Sequence, residues 1–477
     1  MLRYLSLLIS LGFVVSHDTS AQDSYKYQTD FSFDELKERR GRILDAIGNN
    51  AIALIQGAAT APGFVVFRQS NEFYYLTGLE VPQSYLLLDG RTRKTVLFLP
   101  HRDPRKERGE GKMLSAEDAE LVAKLTGVDE VYGNDYLARQ LYSFVLRPPA
   151  PTLYTFRSPA EGRAQSRDEN LIGRAAIVSD PWDGRPSREG KFIQLLQTRY
   201  PEFEVADLSP ILDRMRLTKS PAEISLNRRA SEIAGLGIME AMRSTGPEVM
   251  EYQLNAAAYY IFQINCSQGE GYRAITASGT NAYFGHYYRN NSALVDGELV
   301  LMDYAPDYRY YTSDVARMWP VNGTFNAGQR RLYGFIIDYS KALMKRIRPG
   351  VTADRIMDEA AVEMAEVLKT ISFEKKNYEQ AAREALSFRG HLSHPVGLAV
   401  HDVGNYRSKP LEVGLVFSVD PMLWVHDERL YVRMEDTVVV TDDGVENFTH
   451  FMPTTIDEIE ALMKDTGILQ KRSPVPK

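Results

Sequence analysis

The chain has 477 residues, 44% hydrophobic and 25% charged, with a net charge of −7 and a pI near 5.8. That length exceeds one ordinary core and predicts two domains of a folded globular protein. An acidic chain argues against nucleic acid as a partner, since phosphate binding needs a basic face.

The N-terminus MLRYLSLLISLGFVVSHDTSAQ carries a charge at Arg3, an apolar run from Tyr4 to Val15, and the small residues Thr19-Ser20-Ala21 before Gln22. This is the pattern of a signal peptide over residues 1–21, with an uncleaved anchor as the alternative; the run is short for a bilayer span. No later segment has the uninterrupted apolar length of a membrane helix. The expectation is an exported protein, periplasmic or secreted, with no membrane association after cleavage. Cys266 is the only cysteine, so no internal disulfide forms; QINCSQGEG lacks a nucleophile setting and reads as a buried, inert thiol.

Residues 22–212 are expected to form an α/β domain. FSFDELKERRGRILDAI opens a helix, with Ser32 and Glu35 as a capping box and Phe31 and Leu36 as a staple. The apolar runs AIALIQ (51–56), SYLLLDG (84–90) and TVLFLP (95–100) read as strands, and a helix follows near Ser115 to Leu125. HRDPRKERGEGK (101–112) mixes both signs of charge and reads as a solvated loop. A second domain spans 213–467. It enters through LTKSPAEI, where Ser220 caps, Pro221 takes the first helical position and Glu223 completes a capping box. Helices are predicted at about 248–262, 326–347 and 352–369, with strands at 297–304, 415–420 and 432–441; residues 468–477 read as a loose tail. The fold class is α/β (α+β).

Chemistry-bearing residues concentrate in the second domain. Asp303 ends one apolar strand, and Asp314 starts the next run toward Trp319. Two hairpin strands would bring these carboxylates together, and a cation would keep both ionised. Taken alone, the pair reads better as turn or strand-edge residues. Six of the eight histidines lie from His286 onward, and His391, His394 and His401 fall within RGHLSHPVGLAVHDVG. Three imidazoles so close are hard to explain as packing. FSVDPMLW ends an apolar run in Asp420, a metal ligand, a base or a turn residue. In VRMEDTVVV, strand alternation puts Arg433 and Glu435 on one face, and a buried Glu435 needs either the arginine or a metal as partner. Oxygen and imidazole donors without thiolate favour Mn²⁺, with Co²⁺ or Zn²⁺ as alternatives. No HExxH pattern is present.

These residues, in the segments HYYRN (286–290), SDVAR (313–317), SHPVGLAVHDVG (393–404) and VRMEDTVVVT, resemble the metallopeptidase family of aminopeptidase P, prolidase and methionine aminopeptidase. FRQSNEFYYLTG (67–78) is similar to the N-terminal domain of aminopeptidase P, so the resemblance covers essentially the whole mature chain. It implies a creatinase- or aminopeptidase-P-like α/β domain followed by a "pita-bread" catalytic domain. It implies two divalent metal ions, with Asp303 on one, Asp314 and Glu435 bridging both, His394 and Asp420 completing the other, and a water between them as nucleophile. By the same resemblance His286 and His401 contact substrate and stabilise the reacting carbonyl, and Arg433 orients Glu435. The implied reaction is hydrolysis of the N-terminal Xaa-Pro bond of proline-containing peptides, by a homo-oligomer.

Three positions depart from the family pattern. Glutamate is usual where this chain has Asp420, which is both ligand and proposed proton-shuttling base. Aspartate is shorter by one bond, roughly 1.5 Å, and misplacement on the order of 1 Å costs about a hundredfold in rate. Either the strand sits closer to the metals, or one metal is held weakly, or catalysis is impaired. Tyr304 replaces a small residue and is expected to narrow the pocket, and His391 lies outside the usual His-Gly-x-x-His order. The competing readings are a prolidase, which cuts Xaa-Pro dipeptides, and a catalytically impaired homologue that only binds peptides.

Overall fold

The computed structural model describes residues 26–471. The signal-peptide pattern at 1–21 lies outside the described residues, as does the end of the tail. Among the described residues no helix is long and apolar enough to cross a membrane.

The N-terminal domain is built on six strands: β1 Ala51–Gln56, β2 Tyr85–Asp89, β3 Lys94–Leu99, β4 Glu130–Gly133, β5 Thr152–Thr155 and β6 Val205–Asp207. Their order is β4-β3-β2-β1-β5-β6, with antiparallel pairing at the centre and β4, β5 and β6 added in parallel. The three central strands read as unbroken apolar runs because helices cover both faces of the sheet. Ala53, Ile55, Leu86, Leu88, Leu97 and Leu99 face the helix Phe33–Ile47 and the second domain. Their alternates Ile52, Leu54, Leu87, Val96 and Phe98 pack on Leu141, Phe144, Leu196 and Tyr200.

Local sequence departs from expectation in places that have physical explanations. Ser32 caps its helix by accepting from the Glu35 N–H, but Glu35 does not return the bond; its carboxylate takes Arg39 and the Ser220 hydroxyl instead. The box at Ser220 and Glu223 is complete. Residues Pro104–Glu110 are a short solvated helix rather than loop, because Asp103 caps the N–H groups of Arg105 and Lys106 and proline suits the first position. Cys266 is exposed, not buried, in a left-handed conformation (φ 65°) just past the helix Glu251–Ile264.

The helix Ser209–Leu217 runs across residues 212 and 213, so the divide between domains falls inside one rigid connector. The second domain starts with the long helix Pro221–Arg243 packed on Glu251–Ile264. Its strands are β7 Gly269–Glu270, β8 Ile275–Ser278, β9 Leu299–Asp303, β10 Pro306–Asp307, β11 Ala316–Pro320, β12 Val416–Val419, β13 Met422–Val425, β14 Leu430–Arg433, β15 Asp436–Val440 and β16 Val445–Asn447. They form the antiparallel sheets β11-β9-β8 and β12-β15-β16 and the pairs β13-β14 and β10-β7. Helices Ala327–Met344, Ala353–Thr370 and Lys376–Ser387 flank them. The expected single strand at 432–441 is two: the chain leaves β14 at Arg433 and joins a different sheet as β15, crossing at Met434–Glu435. At that crossing Glu435 and Ala316 exchange two backbone hydrogen bonds, which sew the sheets together.

The domains share an apolar and a charged interface. Tyr310 stacks on Tyr74 at 3.5 Å and donates to Glu80. Arg68 and Arg163 both reach Asp307. Arg216 joins Glu161 to Asp402, which also pairs with Lys219, and Arg167 joins Glu72 to Asp213. Gly397 permits this packing, since a Cβ there would run into the Asp402 carboxylate. At the chain's other end, residues 468–470 are not loose: Ile468 donates to Glu240, and Leu469 and Gln470 bond Ser244.

Candidate metal centre

Four strand ends converge on one buried spot. Asp303 ends β9 and pairs in register with Ala316 of β11, so Asp314, two residues before Ala316, returns beside it. Asp420 directly follows β12, and Arg433 ends β14. The segment 392–395 lies along β12 through Ser418 N–H to His394 C=O (3.0 Å) and Asp420 N–H to Leu392 C=O (3.2 Å), which brings His394 alongside.

The side chains then meet directly. His394 Nε2 lies 3.2 Å from Asp314 Oδ2. Arg433 donates to Asp420 Oδ1 through Nε at 3.0 Å and lies 3.0 Å from Asp420 Oδ2 through Nη2. Its Nη1 donates to Asp303 Oδ2 at 3.1 Å, and its Nη2 also contacts Glu435. The arginine expected to orient Glu435 therefore holds three carboxylates. Donor atoms of Asp314, His394 and Glu435 lie within 4.8 Å of one another. The His401 ring lies 4.2 Å from that of His394, tilted by 54°, and His286 stands 6.0 Å from His401 in a half-exposed position. His391 is not among these contacts; it packs edge-on to Phe388. Tyr304, the residue after Asp303, packs on Phe262 and donates to Glu270.

Two contributors carry no signal in the sequence. Tyr272 donates to Asp303 Oδ1 at 2.6 Å and sits 3.1 Å from Asp314 Oδ1, tying the two carboxylates. The Thr437 hydroxyl accepts from the Asp314 N–H and donates to the Asp314 C=O, both at 2.8 Å, fixing that backbone.

Burial pushes the carboxyls of Asp314 and Glu435 well above the usual range; Asp303 adds to the effect at Asp314, and Arg433 opposes it at both. Burial likewise raises Asp420, against the pull of Arg433. Burial lowers His394, which favours the neutral imidazole that ligates metals. Among the described residues, Glu435 Oε1 is buried without a hydrogen-bond partner. Four buried carboxylates against one guanidinium, with an orphaned oxygen among them, fit a divalent cation. The donors are oxygen and imidazole, the set of a hard or borderline ion.

Residues 225–442 match the model of metallopeptidase family M24, and residues 36–154 match that of the aminopeptidase P N-terminal domain. The chain is 30% identical over 456 residues to the Xaa-Pro aminopeptidase of Escherichia coli K12, covering 91% of this chain and 98% of that one. Among solved structures, E. coli aminopeptidase P with the inhibitor Pro-Leu superposes with a TM-score of 0.72 at 28% identity, over 91% of this chain and 99% of that chain. A structure from Bacillus anthracis gives 0.77 at 24% identity, over 92% of this chain and 100% of that one, a likeness of fold.

Proposed function

Because the chain belongs to metallopeptidase family M24 and joins its catalytic fold to an aminopeptidase P N-terminal domain, we propose that it is a metal-dependent exopeptidase hydrolysing the N-terminal Xaa-Pro bond of peptides. The observation that carries this reading is the cluster of Asp314, His394 and Glu435, with an unpartnered Glu435 oxygen and an excess of buried negative charge. Asp303, Asp314, His394, Asp420 and Glu435 would hold two divalent ions, with Mn²⁺ the best fit to this donor set and Co²⁺ or Zn²⁺ as alternatives. Such ions supply Lewis-acid polarisation and bring the pKa of water toward neutrality.

The remaining work falls to the protein's own groups. Arg433 fixes the rotamers of Asp303, Asp420 and Glu435, and Tyr272 fixes Asp303 against Asp314. Asp420 is the base that takes the proton of the attacking water. His401 and His286, on the open side of the cluster, bind the substrate and stabilise the reacting carbonyl. Proline's tertiary amide makes this bond a special case in its conformational preferences, which a dedicated site must accommodate. The leader-like pattern at 1–21 supports export, to the periplasm or outside the cell, and the family resemblance supports a homo-oligomer.

The test is release of residue one from an Xaa-Pro-Yaa peptide, abolished by chelation and restored by Mn²⁺ or Co²⁺. Folded protein with bound metal that turns over no Xaa-Pro substrate overturns the reading. Cleavage confined to Xaa-Pro dipeptides would make the protein a prolidase.

A further inference from the structure

We propose that Asp168, supplied by the N-terminal domain, is the positioning residue for His401 in the peptidase site. His401 Nδ1 lies 2.6 Å from Asp168 Oδ2, and the His401 backbone N–H donates to Ser166 Oγ at 3.2 Å. Ser166 and Asp168 flank the first residue of the helix Arg167–Ser179, so one helix start grips both the ring and the backbone of one histidine. A looser pair repeats the arrangement: Glu169, the next residue, stands 3.8 Å from His286 Nδ1.

Both sides of this contact are anchored. Arg167, between the two gripping residues, is buried against Glu72 and Asp213. Asp402, next to His401, is buried against Arg216 and Lys219. Neither side can slide without breaking a buried ion pair, which is costly. The carboxylate accepts from Nδ1–H, so that nitrogen is the protonated one and Nε2 stays free for substrate; Nε2 has no hydrogen-bond partner among the described residues. An aspartate behind a histidine in this way sets its tautomer and orientation. The N-terminal domain thus completes the catalytic site rather than only packing against it.

This inference rests on the peptidase reading, and the experiment separates the two. Asp168→Asn keeps the shape, but its amide NH₂ donates to Nδ1 and imposes the other tautomer. The side chain is half-exposed, so the melting temperature and bound metal should stay as in wild type. Turnover of an Xaa-Pro-Yaa peptide should fall by about ten- to a hundredfold in kcat, with KM little changed. Nitrogen-15 histidine spectra, with the His401 signals assigned by His401→Gln, should show protonation moving from Nδ1 to Nε2. Asp168→Glu should restore much of kcat. Unchanged kcat and tautomer in Asp168→Asn would reduce the contact to a surface ion pair. A parallel loss of melting temperature and metal would make it structural; either result overturns the proposal. If wild type cleaves no Xaa-Pro peptide, the peptidase reading falls, while the spectra still decide whether Asp168 sets His401.

Discussion

The interdomain cluster sets Glu72, Glu161, Asp213 and Asp402 against Arg167, Arg216 and Lys219, whereas the candidate metal centre sets Asp303, Asp314, Asp420 and Glu435 against Arg433. The residue types and the depth are alike, and the charge balance is not. In the first the outcome is mixed: Arg216 and Lys219 outweigh burial at Asp402 and hold it below the usual range, while burial raises Glu72 and Asp213. In the second, burial wins, and Asp314 and Glu435 are driven up. A nearly neutral buried cluster is a structural joint. One short of positive charge is built for a cation that the polypeptide itself does not supply.

The sharpest way to break this comparison is to remove one acid from each cluster. Asp314→Ala should empty the centre and lower kcat/KM by at least about a thousandfold, read by elemental analysis and peptide turnover. The metal-free fold should be no less stable, because a repelling carboxylate has gone. Asp402→Ala should do the reverse to stability, costing about 3–5 kcal/mol by stranding Arg216 and Lys219, measured by urea unfolding. Equal stability losses in the two variants would erase the distinction.

Asp420→Glu tests how closely the centre is fitted to aspartate. Both Asp420 oxygens are engaged by Arg433 in a buried position, so an added methylene must push the carboxylate out of that fork. Activity should fall by about ten- to a hundredfold, seen in kcat with metal content followed alongside. A large gain would instead mark the natural residue as a defect.

The smallest effect concerns the pH response of the interdomain cluster. Burial and the neighbouring Glu161 push Glu72 up to about 7, against Arg167 and Arg216. The folded state then binds more protons than the unfolded chain, so this group's contribution is full below about 4.5 and is lost as pH rises through about 7. Glu72→Gln should flatten the decline in melting temperature across that window.

Much of this layout is legible in the sequence where the cause is local. AIALIQ and TVLFLP announce buried strands, Ser220 and Glu223 announce a helix start, and the spacing of Asp303 and Asp314 announces a return of the chain. The Asp103-Pro104 start signal was equally local, yet the density of charge around it reads as loop. The break at Met434–Glu435 is not local, because only the partner strands β12 and β13 reveal that VRMEDTVVV serves two sheets. Tyr272 and Asp168 reach the site from segments with no pattern of their own, so only the folded arrangement identifies them. The gathering of His394, Asp420 and Glu435 follows from family resemblance; from the residues alone, Asp420 reads as a metal ligand, a base or a turn residue.

The seam at Ala316 and Glu435 has a consequence for how the molecule opens. Two small sheets meet there through two backbone hydrogen bonds, and the side chain leaving that backbone reaches across to Asp314 and His394. An ion held by these side chains would act as a rivet at the joint. Separating the sheets would then require giving up the ion, and loading would add stability that grows with the logarithm of its free concentration once that exceeds Kd. Amide exchange at Ala316 and Glu435 becomes a gauge of occupancy, slow when the rivet is in and faster when a chelator draws it out.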